Sequence, residues 1–389
     1  MKLNLINPIY VLVIMLVLSS CSNNDDGPTI PEVTIEKSDV ISNYANIVFA
    51  SYQDAMLDAE HLETVINTFV SSPTEINFTA AKNAWLTARE SYGPTEAYRF
   101  ANGPIDDSDG PEGMINAWPL DENYVDYVAG DANSGIINNT TEYPTIDKTT
   151  LENLNEVGGE ANISIGYHAI EFLLWGQDNS TPSELKAGER PYTDFVDSGT
   201  ASNQGRRRQY LTVCADLLTD HLQLMINEWQ DGGTYRTTFL GLNEDAVLSN
   251  VITAIATLSK SELGGERMFV AYDNQDQEDE HSCFSDNTHR DIRLNLEGIA
   301  NVYRGSYGSI SGSSLEDLIT EEDATLGAEV SAQLAATEVA VNDTATPFDF
   351  AITDTTERVK VLSAVNALQD LGDKFVEGGA AIGLSITTD

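Results

Sequence analysis

The sequence predicts an all-α protein built as two packed helical bundles, and three observations predict it. Apolar residues recur every three or four positions over most of the chain, the period of a helix buried on one face. Period-two runs, the mark of half-buried strands, are essentially absent. The chain's 389 residues, once an N-terminal leader is set aside, favour two cores over one.

The first helix is the clearest. Ile41, Tyr44, Val48, Tyr52, Ala55, Ala59, Leu62, Ile66 and Phe69 form one stripe of about eight turns. A second helix runs over 79–91, with Ala81, Trp85, Ala88 and Tyr92 on one face and Gly93-Pro94 ending it. Residues 101–160 are rich in Gly, Pro, Asn and Asp and read as a long irregular insertion. Helical spacing returns at 162–175, 206–230, 244–260 and 288–303, and again at 320–342 and 354–376. Ser314 and Thr320 are placed as N-caps, the latter followed by Glu321-Glu322-Asp323 at the positive end of a helix dipole. The least patterned connection, 230–243, divides a first bundle at 36–235 from a second at 236–389.

Residues 1–20 read as a secretory leader, with Lys2 followed by an apolar run too short to span a bilayer. Leu18-Ser19-Ser20-Cys21 resembles a bacterial lipobox, so Cys21 is the expected lipidation site and 21–35 a polar tether. The expected location is the cell envelope, lipid-anchored to the outer membrane on its surface or periplasmic face. Membrane contact is expected through the acyl chains alone. A net charge of −42 repels nucleic acid, which is excluded as a partner, and attracts cations. Beyond Cys21 there are only Cys214 and Cys283; a bridge between them is left open.

Four polar clusters interrupt the apolar pattern. In Gly166-Tyr167-His168-Ala169-Ile170-Glu171, residues three apart share a helix face, so His168 and Glu171 project side by side. Such a pair can ligate one metal, or act as a base and its orienter. Gln275–Asp291 holds six carboxylates and two of the five histidines, including Asp279 and His281. Its spacing is not that of a calcium EF-hand loop. Trp85–Phe100 sets Arg89, Glu90, Glu96 and Arg99 among aromatics, and Gly264-Gly265-Glu266-Arg267-Met268 has the same character. Charges in apolar settings persist when paired, metal-bound or both.

Together these residues resemble the imelysin-like family, whose signature is Gly-x-His-x-x-Glu, here Gly166, His168 and Glu171. The resemblance extends through Trp85…Tyr92-Gly93…Glu96-Ala97-Tyr98-Arg99-Phe100, Gly265–Met268, Gln277–Thr288 and Pro347-Phe348-Asp349, covering roughly 36–380. It implies two helical bundles with a functional cleft between them, and an envelope lipoprotein linked to iron acquisition. The family is filed among metallopeptidases, yet His-Glu-x-x-His is absent and Phe172 stands where His-x-x-Glu-His needs its second histidine. A zinc-dependent peptidase using His168, Glu171 and His281, or a cleft that binds another small or polymeric ligand, is therefore the alternative, and metal binding without turnover the main expectation.

The expected metal ligands are His168, Glu171, Asp279 and His281, with Glu96, Arg99, Glu266 and Arg267 holding the rest of a bound complex. Imidazole and carboxylate donors suit a divalent transition metal. Iron is favoured by the family's regulation and zinc is compatible. The partners expected are a metal ion or its complex, and an outer-membrane transport protein of unknown identity.

Overall fold

The stripe from Ile41 to Phe69 is the buried face of one helix, Lys37–Ser71, and every residue of it is buried. The computed structural model describes residues 34–387; the leader, Cys21 and the tether as far as Val33 lie outside the described residues.

Glu75–Tyr92 and Gln204–Trp229 lie against this first helix, and the short helix Gly166–Trp175 packs on both of them. A second group holds Glu244–Thr257, its continuation Leu258–Val270, Thr288–Arg304, Leu315–Glu322, Ala324–Asn342 and Glu357–Ala381. The last of these rests on both Ala324–Asn342 and the 258–270 segment. Lys37–Ser71 and Thr288–Arg304 touch helices of both groups, and from Ile35 onward the chain forms one compact unit. Strand structure among the described residues is a two-residue hairpin, Ser306–Tyr307 against Ile310–Ser311. The fold is all-α, and no described helix is long and apolar enough to cross a membrane.

Caps explain where helix boundaries differ from the periodicity. The Thr74 hydroxyl accepts the Asn77 N–H, so the second helix starts at Glu75 and not at 79. Ser314 caps Leu315–Glu322 through reciprocal bonds with Asp317. Thr320 is not a cap: it lies inside that helix. Asp323 starts the next one, its carboxylate accepting the N–H groups of both Thr325 and Leu326. A carboxylate taking two orphan donors at a positive helix end outcompetes a hydroxyl. Cys214 and Cys283 are both buried free thiols.

Leu258–Val270 is wound as a π-helix. Long π segments are rare and concentrate at functional sites because they re-aim side chains. This one carries Glu262, Glu266 and Arg267.

Candidate functional site

Gly166 sets the position of the signature helix. Its φ is +85°, and a Cβ there would stand 2.6 Å from the Ile115 carbonyl oxygen. Only glycine permits both the left-handed turn and the close approach. The approach brings the irregular 101–160 insertion, with Asn116 and Trp118, against His168.

His168 and Glu171 are fully buried, and His168 Nδ1 lies 2.9 Å from Glu171 Oε2. The other Glu171 oxygen accepts the Ser285 N–H at 3.0 Å and its hydroxyl at 2.7 Å. Both carboxylate oxygens are thus engaged within the protein. The His281 ring stands edge-on to the His168 ring with centroids 4.6 Å apart, and Trp118 packs on both. His281 Nδ1 lies 2.9 Å from Asp291 Oδ2, so the two imidazoles are matched: each has its Nδ1 held by a carboxylate. Burial lowers the pKa of both rings, and each is held neutral. Burial also pushes Glu171 up to about 8, so the His168–Glu171 contact is a hydrogen bond and not an ion pair. His168 Nε2 is buried with no partner.

Around this pair runs a chain of compensated charge. Arg89 donates to Asp291 Oδ1 at 2.9 and 3.2 Å and to Asn116 Oδ1 at 2.5 Å. Asn116 donates to Glu96 Oε1 at 3.2 Å, and Arg267 reaches Glu96 Oε2 at 2.5 Å. Arg99 adds an ion pair to Glu96 at 3.4 Å. Burial would raise Glu96, but Arg267 and Arg99 outweigh it and hold the carboxyl at about 2. Asp291 is likewise kept well below its ordinary value by Arg89 and His281, against its burial.

A cleft of about 500 Å³ opens beside the pair, walled by Trp118, His281, Arg99, Arg267, Glu266 and Asp279. Of the residues singled out in the sequence, Glu96, Arg99, Glu266, Arg267, Asp279 and His281 therefore share one cleft or the network beneath it. His168 and Glu171 lie behind its Trp118–His281 wall and not at its centre. The expected ligand quartet does not close. Among the described residues, no group of three that includes His168, Glu171, Asp279 or His281 has ligand atoms within 4.8 Å of one another. Asp279 instead accepts the Asn274 side-chain N–H at 2.7 Å.

The imelysin family model matches residues 48–375. The chain belongs to the imelysin family. It is 25% identical over 338 residues to iron-regulated protein A of Synechococcus elongatus, covering 84% of this chain and 81% of that protein. Its fold is shared with the crystal structure of a Parabacteroides distasonis protein named as an iron-regulated protein A precursor. That likeness has a TM-score of 0.70 at 18% identity, over 89% of this chain and 95% of the other.

In this imelysin, several site residues escaped the sequence reading. Trp118 and Asn116 sit in the stretch without periodicity, where a lone Trp among Gly, Pro and Asn was the available signal. Ser285 and Asp291 stood inside a cluster already noted, but nothing in their spacing shows that one grips Glu171 and the other His281.

Proposed function

We propose that this imelysin is an envelope lipoprotein, acylated at Cys21, that binds a divalent transition metal or its complex in an iron-related role without turning it over. The observation that carries the reading is His168 Nε2, a buried ring nitrogen with no partner beside a second neutral imidazole. A neutral imidazole whose Nδ1–H donates to an ionised carboxylate is the usual form of a histidine ligand, so metal binding at His168 Nε2 would displace the proton that burial favours on Glu171. His168 and His281 would hold the metal, while Glu171 and Asp291 orient them. This reassigns Glu171 from ligand to positioning group, since both its oxygens are already taken. Arg99 and Arg267 at the cleft are already paired with glutamates, and the other carboxylates of its lining favour a cation or a cationic complex over an anionic one. Iron is favoured by the names of the relatives, and zinc suits the same donors.

A hydrolytic zinc needs three protein ligands and an open position, and this donor set offers two imidazoles whose neighbouring carboxylates are engaged.

Metal analysis of protein purified without chelator, followed by calorimetric titration with Fe²⁺ under anaerobic conditions and with Zn²⁺, tests the reading. Stoichiometric metal is expected, lost in His168→Ala and in His281→Ala, and weakened about 10- to 100-fold in Glu171→Gln. Wild-type affinity in His168→Ala would overturn it. Cys21→Ala should release the protein from membranes.

A further inference from the structure

Asp178, Asp286 and Asp349 each place a carboxylate oxygen within 4.8 Å of the others, away from the two histidines. They come from three distant segments: the turn after the signature helix, the loop that follows Ser285, and the short helix Phe348–Thr353. Asp178 and Asp349 are buried, at 6% and 1% exposure. Glu280, at 1% exposure, belongs to the same patch, since Asp349, Asp286 and Asp178 all act on it electrostatically.

Three buried carboxylates and the half-buried Asp286, gathered in one patch, repel one another, so something must offset them. It is not a basic side chain: none of the four forms an ion pair with a Lys, Arg or His among the described residues, whereas Glu96 pairs with Arg99 and Arg267 and Asp291 with Arg89. Internal hydrogen bonding offsets the repulsion only in part, with the Thr288 side chain bonded to Glu280. The Ser180 N–H occupies Asp178 Oδ1 and the Phe350 N–H occupies Asp349 Oδ1. Asp178 Oδ2, Asp349 Oδ2 and Glu280 Oε1 are buried with no partner at all. Burial first, and then their neighbours' charge, push Asp286 up to about 7 and Asp349 up to about 6.

We infer that Asp178, Asp286 and Asp349, with Glu280 beside them, form a binding site for one hard divalent cation of the Ca²⁺ class. All-oxygen donors select hard cations over the transition metals suited to imidazole. Oxygens that all lie within 4.8 Å of one another can share one cation at Ca²⁺–oxygen distances of about 2.4 Å, and an irregular set of carboxylates from three segments suits the flexible coordination of Ca²⁺. Backbone carbonyls and water would complete the shell. The cation would pin the end of the signature helix to the loop whose Ser285 holds Glu171. The site is independent of metal binding by the histidines.

The test is calorimetric titration of Ca²⁺ into the chelator-treated protein, paired with thermal unfolding. One Ca²⁺ per chain is expected, with a Tm rise of roughly 3–4 °C at a hundredfold excess over Kd. Asp286→Asn and Asp349→Asn should each abolish both signals, while Glu60→Gln at an exposed position and His168→Ala should keep them. Absence of heat and Tm shift in the wild type up to about 10 mM Ca²⁺, beyond the weakest extracellular sites, overturns the inference without any variant. Undiminished one-site binding in folded Asp286→Asn and Asp349→Asn overturns it too, by moving the ion elsewhere on an acidic surface.

Discussion

Two sets of buried or half-buried carboxylates lie close together in this protein and are treated in opposite ways. Glu96 and Asp291 sit in a lattice of guanidinium groups, each oxygen accounted for, and their pKa values are pulled down. Asp178, Asp286, Asp349 and Glu280 sit among one another with oxygens unmatched, and theirs are pushed up. Burial is common to both and cannot be the difference. The difference is whether the chain itself supplies the countercharge. Where it does, charge holds the fold together; where it does not, the cluster depends on protons or a bound cation. The same desolvation penalty thus underlies a structural network and a candidate binding site.

The largest effect should come from breaking the compensated side. Arg89→Met leaves Asp291 buried with only a neutral imidazole and a hydroxyl as partners, and should cost about 3–5 kcal/mol in urea unfolding. A loss below about 1 kcal/mol would mean that Asp291 needs no countercharge.

Acid titration of stability gives the next effect. Glu96 titrates at about 2 in the folded chain against an ordinary value of 4.5. A depressed carboxyl contributes stability fully above its unfolded pKa and loses it as pH falls through its folded one. The Glu96 contribution, roughly 3 kcal/mol, should therefore be present above pH ~4.5 and fade toward pH ~2. The wild-type minus Glu96→Gln stability difference should shrink over that window. A difference that is flat across it would show that Arg267 and Arg99 do not act on Glu96 as an ion.

The uncompensated side should respond with the opposite sign. In chelated protein, Asp349→Asn removes one of the repelling charges, keeps the oxygen that accepts the Phe350 N–H, and should stabilise by about 1 kcal/mol or less. A loss as large as that of Arg89→Met would erase the contrast between the two regions. The smallest effect belongs outside both. Arg290 and Glu90 pair at 2.6 Å with side chains 34% and 45% exposed, and a double-mutant cycle there should give under ~1 kcal/mol, shrinking with added salt.

The sequence reveals this fold where one physical signal dominates. The Ile41–Phe69 stripe is legible because water excludes the same helix face at every turn. His168 and Glu171 are legible as neighbours because their spacing alone puts them on one face. Thr320 misleads because two cap-competent residues, Thr320 and Asp323, stand three apart, and the spacing does not show that the Asp323 carboxylate takes the exposed N–H groups. The π-winding of Leu258–Val270 leaves no periodic trace. The acid patch was out of reach for a different reason. Asp349 was visible within Pro347-Phe348-Asp349, and Asp286 within the cluster before Thr288, yet only the tertiary fold brings them to Asp178. The role of Glu171 was hidden likewise, because Ser285 reaches it from more than a hundred residues away.

Trp118 gives the histidine pair a built-in optical signal. Its ring lies 5.2 Å from that of His168 and 6.3 Å from that of His281, at the wall of the cleft. Indole emission is sensitive to nearby imidazolium and is quenched by paramagnetic ions. Of the four tryptophans, Trp85 and Trp175 pack against each other and Trp229 lies among Tyr44, Tyr235 and Phe239. If the pair takes up iron as proposed, the dimming of tryptophan emission would report it without a dye or a label, and Trp118→Phe would show how much of the signal is this residue's.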